Sequence, residues 1–178
     1  MNDNHLISVA EFKQLARPAS VHIDESEVLA YIREAEDINI KPAIGITLFD
    51  KLADAVSDSD LNADELILFK GGTYNDDCDK AKECAGLKRA VAYLAYARMI
   101  AANGGMVTRT GYYQHDDDYA SRVDDKNRAN ARRDVQNMAD YYLGSCIEYY
   151  AMMTDGCCKR ASHRGGNMRI KSIGLYTE

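Results

Sequence analysis

The chain has 178 residues, 46% hydrophobic and 28% charged, which suits one compact unit with a projecting tail and excludes both two full domains and a mostly disordered chain. Two prolines among abundant Ala, Leu, Glu, Lys, Asp and Arg point to helix and away from an all-β architecture. The net charge of -6 is uneven: residues 1–80 carry 7 basic and 17 acidic side chains, residues 81–153 carry 10 and 9, and residues 154–178 carry 5 and 2. An acidic body with a basic end favours docking to protein over duplex binding, which draws its affinity from many cations on phosphates.

In chain order, Ser8 with Glu11 forms a capping box ahead of Val9, Phe12 and Leu15, predicting a helix over 8–16 that stops at Arg17-Pro18. Asp24 with Glu27 repeats the signal. Val28, Ile32, Ala35 and Ile38 then define one apolar face of a second helix ending near 39, with acidic residues on its other face. Pro42 suits a first helical position, so a third helix is expected over 42–55, carrying Ile44, Leu48 and Leu52. A two-turn helix over 62–69 ends at Gly71-Gly72 and a turn at Thr73-Tyr74-Asn75-Asp76.

Two long helices follow. The first is predicted over 77–102, with Ala81, Cys84, Leu87, Val91, Leu94 and Ala95 as its core stripe. The second is predicted over 121–153, with Val135, Met138, Tyr142, Cys146 and Ile147 on one side. Gly144 inside it implies close approach of another backbone, because glycine costs about 1 kcal/mol there relative to alanine. Tyr141-Tyr142 and Tyr149-Tyr150, eight residues apart on nearly one face, are each expected to give one core and one exposed ring. Between the long helices, residues 104–118 predict a projecting loop or β-hairpin around Gly111. The expected fold class is therefore mainly α, a helical bundle over 1–153, followed by an extended basic tail over 154–178.

Candidate chemistry is thin. His115-Asp116-Asp117-Asp118 has the residue types for a divalent metal, but the sixth and twelfth places of a calcium loop hold Ser121 and Asn127, so a solvated acidic loop is expected. Cys157, Cys158 and His163 lack zinc spacing, and the five cysteines contain no C-x-x-C pair, so reduced thiols are expected. The Gly104, Gly105 and Gly111 loop lacks a Walker lysine. No G-x-S-x-G or H-E-x-x-H occurs. No apolar run approaches the roughly 20 residues of a membrane span, and the start Met1-Asn2-Asp3-Asn4-His5 lacks a signal pattern, so synthesis in cytoplasm is expected. Lys88-Arg89 and Arg132-Arg133 are expected on solvated faces.

Glu27-Val28-Leu29-Ala30-Tyr31-Ile32-Arg33-Glu34-Ala35-Glu36, the join Ile40-Lys41-Pro42-Ala43-Ile44-Gly45 and Leu48-Phe49-Asp50-Lys51-Leu52 resemble the head-to-tail connector (adaptor, or neck ring) proteins of tailed phages. Gly86-Leu87-Lys88-Arg89-Ala90-Val91-Ala92-Tyr93-Leu94-Ala95-Tyr96-Ala97-Arg98 and Val107-Thr108-Arg109-Thr110-Gly111 are similar to versions in phages of gut Bacteroidales, including the crAss-like group. The resemblance covers most of residues 24–153 and leaves out the tail. It implies a structural virion protein, made in host cytoplasm, that forms a dodecameric ring joining the portal protein to the next neck or tail ring protein. Genomic DNA would pass through without sequence-specific binding, with no membrane, cofactor, metal or catalytic residue involved. The expected interface residues are Arg109, Tyr112 and Tyr113 in the loop and Arg160, Arg164, Arg169 and Lys171 in the tail. The alternatives are another neck component, a stopper or tail-completion protein, and a metal-dependent enzyme using His115 to Asp118.

Overall fold

The structure is a computed structural model that describes residues 4–17, 24–55, 60–76, 78–102, 106–108, 111–113 and 125–155. Helix α1 (Val9–Leu15) starts on the capping box: Ser8 Oγ accepts the Glu11 N–H, and the Glu11 carboxylate accepts the Ser8 N–H at 2.9 Å. Phe12 is its buried anchor, and Lys88 reaches Glu11 at 2.6 Å, tying α1 to the core helix. Helix α2 (Glu25–Ala35) is capped by Asp24, which accepts the Ser26 N–H, and it buries Val28, Ile32 and Ala35.

At Glu36 the winding changes. Residues Glu36–Ile40 form a π-helical turn, closed by Lys41 N–H on the Glu36 carbonyl. Pro42 supplies the physical reason, since it has no N–H to offer the Ile38 carbonyl and an ordinary turn there would lose its bond. The wider turn rotates the face. Ile38, expected in the core, is 63% exposed, whereas Glu36, expected on the polar side, is 2% exposed and Ile40 takes the core position.

The predicted helix over 42–55 is two helices, α3 (Lys41–Ile44) and α4 (Ile46–Asp54), broken at Gly45 with φ 83°. Phe49 and Leu52 are buried from α4. Helix α5 (Ala63–Lys70) has a full capping box between Asn62 and Glu65, and Gly71 ends it with φ 98°.

The largest departure from expectation comes next. Strand β1 (Gly72–Asn75) replaces the predicted turn and pairs antiparallel with β2 (Ala81–Cys84), which replaces the first part of the predicted long helix. The Asp76 carboxylate accepts N–H bonds from Cys78 and Lys80 and so fixes the bend between them. Gly86 separates β2 from helix α6 (Leu87–Ala102) at φ 85°, and a Cβ there would lie 2.4 Å from the Lys70 carbonyl carbon. Ala81 and Cys84 matched a helical period by coincidence, and Gly86 is where the helix cannot continue.

Helix α6 is the axis of the core, burying Leu87, Ala90, Val91, Ala92, Leu94, Ala95, Ala97 and Met99. It packs on α2, on α5 and along α7 (Asp125–Asp155), whose 31 residues span about 46 Å. Between α6 and α7, strands β3 (Met106–Thr108) and β4 (Gly111–Tyr113) form the expected hairpin. The fold is thus mainly α with two long helices, as the periodicity implied.

Candidate functional site

Helix α7 has two contrasting faces. Val135, Ala139, Cys146 and Tyr149 recur at steps of three, four and seven and are buried. Tyr142 packs edge-on against Tyr93 of α6 at 5.0 Å, with the Arg89 guanidinium over its outer face. Tyr149 packs at a tilt against Tyr74 of β1, ring centres 4.6 Å apart, and donates its hydroxyl to Asp64 Oδ1 at 3.0 Å, joining hairpin, α5 and α7. Burial and the Asp64 carboxylate both push the Tyr149 hydroxyl pKa up.

The opposite face holds Arg133, Asn137, Asp140, Tyr141, Ile147, Glu148 and Ala151, all exposed. Tyr141 is 73% exposed, so it and Tyr149 lie on different faces despite the spacing of eight. Ile147, expected among the core residues, is likewise exposed because the stripe runs through Cys146. Gly144 sits between these exposed side chains, and a Cβ on it would meet nothing within 4 Å. Among the described residues no backbone makes the close approach that the glycine implied. Further toward the start, Ala129–Asp134 are all exposed, with Asp134 bound to Arg17 and Arg132-Arg133 on the solvated surface as expected.

The second candidate surface is the acidic outer side of α2 and the turn after it. Glu25, Glu27, Glu34 and Asp37 are exposed there, near the apolar Leu29 and Ile38, and Ile46 at the start of α4 is 65% exposed. Lys41 pairs with Asp37, and Arg98 lies 3.6 Å from Glu34 while donating to Asn39 at 2.6 Å. Beneath this surface the buried Glu36 carboxylate accepts the Leu6 N–H at 2.7 Å and meets His5 Nδ1 at 2.7 Å. Removal from water pushes the Glu36 pKa up, against the pull of His5, Leu6 and Lys41. Lys88 is not simply solvated: besides Glu11, its ammonium covers the Phe69 ring at 4.6 Å.

Tyr112 and Tyr113 lie on β4, of which the backbone alone is described. Arg109, Arg160, Arg164, Arg169 and Lys171 lie outside the described residues, as do His115 to Asp118, Cys157, Cys158 and His163. Among the described residues no three His, Cys, Asp or Glu side chains are placed to hold a metal ion, and no helix is long and apolar enough to cross a membrane. The exposed side of α7, the acidic side of α2 and buried Glu36 were not singled out as functional from sequence. The spacing 28, 32, 35, 40, with its step of five just before Pro42, was the available signal for the π-helical turn.

The class these features define is a small α-helical protein whose longest helix has one side left exposed by the described residues. Residues 40–153 match a family of unknown function, DUF6712, and the chain belongs to that family. No curated protein and no solved structure matches it.

Proposed function

We propose that the chain is a structural virion protein, a ring-forming connector at the head-to-tail neck of a tailed phage that links portal to the next ring and transforms no substrate. The observation that carries this reading is the outer side of α7, where Tyr141 and Ile147 are exposed and Gly144 has no backbone packed on it among the described residues. Glycine in an exposed helix interior costs about 1 kcal/mol relative to alanine, which close packing of a second backbone would offset. The resemblance of residues 24–153 to connector proteins supplies the assembly in which such a surface is buried.

On this reading the neighbour on α7 is another copy or the portal, and loop 104–118 and the tail from 154 make further contacts. The acidic first half, net -10 over residues 1–80, suits a channel wall that repels DNA phosphates and lets the genome slide. Native mass spectrometry of the protein alone and mixed with the portal protein of the same phage tests this. Stoichiometric binding to portal rings is expected, and a monomer that ignores portal across a range of salt contradicts it. Removing residues 156–178 is expected to leave helical circular dichroism unchanged while weakening portal pull-down.

A further inference from the structure

Cys84 closes strand β2 and Cys146 lies on the core face of α7, 62 residues later in the chain. Their sulfurs are 3.8 Å apart, and both residues are buried. A disulfide needs about 2.05 Å between sulfurs, so closure asks for less than about 2 Å of movement, which small side-chain rotations can supply. The surroundings hold both partners in place: Ala85 N–H donates to Ser145 Oγ at 3.1 Å, and the Tyr74 and Tyr149 rings pack together one turn away.

We propose that Cys84 and Cys146 are a redox pair, which closes under peroxide into a disulfide that staples the β1–β2 hairpin to α7. The electronic setting suits the first step. The Cys146 S–H and the Gly86 N–H stabilise charge on Cys84 and bring its pKa down to about 7, while the shared proton and burial hold the Cys146 thiol up. The Cys84 thiolate attacks one oxygen of hydrogen peroxide; the O–O bond breaks, hydroxide leaves and is protonated to water, and Cys84 becomes a sulfenic acid. Cys146 then gives up its proton, its sulfur attacks the Cys84 sulfur, and the S–O bond breaks with loss of a second water. Two thiols and one peroxide thus become one disulfide and two waters. Oxidant enters when the hairpin opens, since two strands alone are marginally stable and open more readily than the helical core.

The staple would close a long loop that contains all of α6, which constrains the unfolded chain. It adds to the assembly reading without depending on it, because a purified monomer should form it. The test uses the full-length chain and a Cys78→Ser/Cys157→Ser/Cys158→Ser variant, each reduced, desalted, treated with hydrogen peroxide, quenched in acid, alkylated and mapped by mass spectrometry. The expected result in both is one Cys84–Cys146 cross-linked peptide, lighter by two hydrogens, with Tm raised on the order of 5–10 °C and returned by dithiothreitol. In a Cys146→Ser variant, dimedone should instead label Cys84. Both thiols remaining alkylatable after peroxide, or a cross-link from either one to a different cysteine, would overturn the proposal.

Discussion

The two faces of α7 are made by one helix and obey different rules. On the inner face every turn from Val135 to Tyr149 meets α6, α5 or the hairpin, and Tyr149 is satisfied even at its hydroxyl by Asp64. On the outer face Tyr141 and Ile147 are exposed and, among the described residues, nothing lies within 4 Å of a Cβ on Gly144. Stability is thus concentrated on one side, which leaves the other free to be shaped by whatever it contacts. Among the charges and alanine that solubility asks of an outer face, Tyr141, Gly144 and Ile147 are the residues that solubility does not call for.

The contrast breaks most sharply at Tyr149. Tyr149→Ala is expected to cost about 3–5 kcal/mol in urea unfolding, whereas Tyr141→Ala on the outer face should stay within about 0.5 kcal/mol and weaken portal binding instead. Equal losses at the two positions would erase the distinction between faces.

Glu36 sharpens it from the other side of the core. Glu36→Ala orphans the Leu6 N–H and should cost about 1–3 kcal/mol. Glu36→Gln keeps an acceptor and isolates the charge. The folded carboxyl titrates above its ordinary 4.5, so between those two values the native state holds a proton the unfolded chain has lost. Native stability from this group is therefore full below pH about 4.5 and falls as pH rises through the folded pKa. The glutamine variant lacks that fall. Its Tm relative to the natural protein should be higher at pH 7 than at pH 4, and a pH-independent difference would contradict the burial penalty. Glu11 and Glu65 titrate the opposite way. Lys51 bonding holds Glu65 below the usual range, and for Glu11 the Lys88 and Ser8 bonds outweigh burial. Their contribution is present above pH about 4.5 and disappears on acidification, in both proteins alike.

Gly144→Ala is expected to add about 1 kcal/mol to monomer stability, because the helix gains propensity and the new methyl meets open space. The same change should lower assembly if a neighbouring backbone packs there. Arg132→Glu with Arg133→Glu gives the smallest stability effect, within about 0.5 kcal/mol by thermal melt, and shows how far charge at the start of the outer face contributes to binding.

Much of this architecture was legible in the sequence where capping and period agree. Ser8 with Glu11 and the long apolar rhythm of α7 each place an element within a few residues, while the rhythm of α6 places its end but not its start. Two places misled for physical reasons. At Ala81 to Cys84 a short strand has too few residues to show its period of two, and the following helix lent it an apparent period of 3.6. At Glu36 the π-helical turn shifts the phase, so a regular helix buries the wrong residue on paper. The outer face of α7 was half visible: Gly144 announced a close approach, but only the fold shows that the described residues do not provide it. The Cys84–Cys146 contact was invisible, because 62 residues separate partners that no local motif links.

The most direct measurement is an image of the intact particle. Single-particle reconstruction of the phage neck should show a ring below the portal into which the α6–α7 body fits, with the Tyr141 and Gly144 side of α7 against a neighbouring chain. A neck with no such ring, or a ring in which that side of α7 faces open solvent, would contradict the assignment of this helix to assembly.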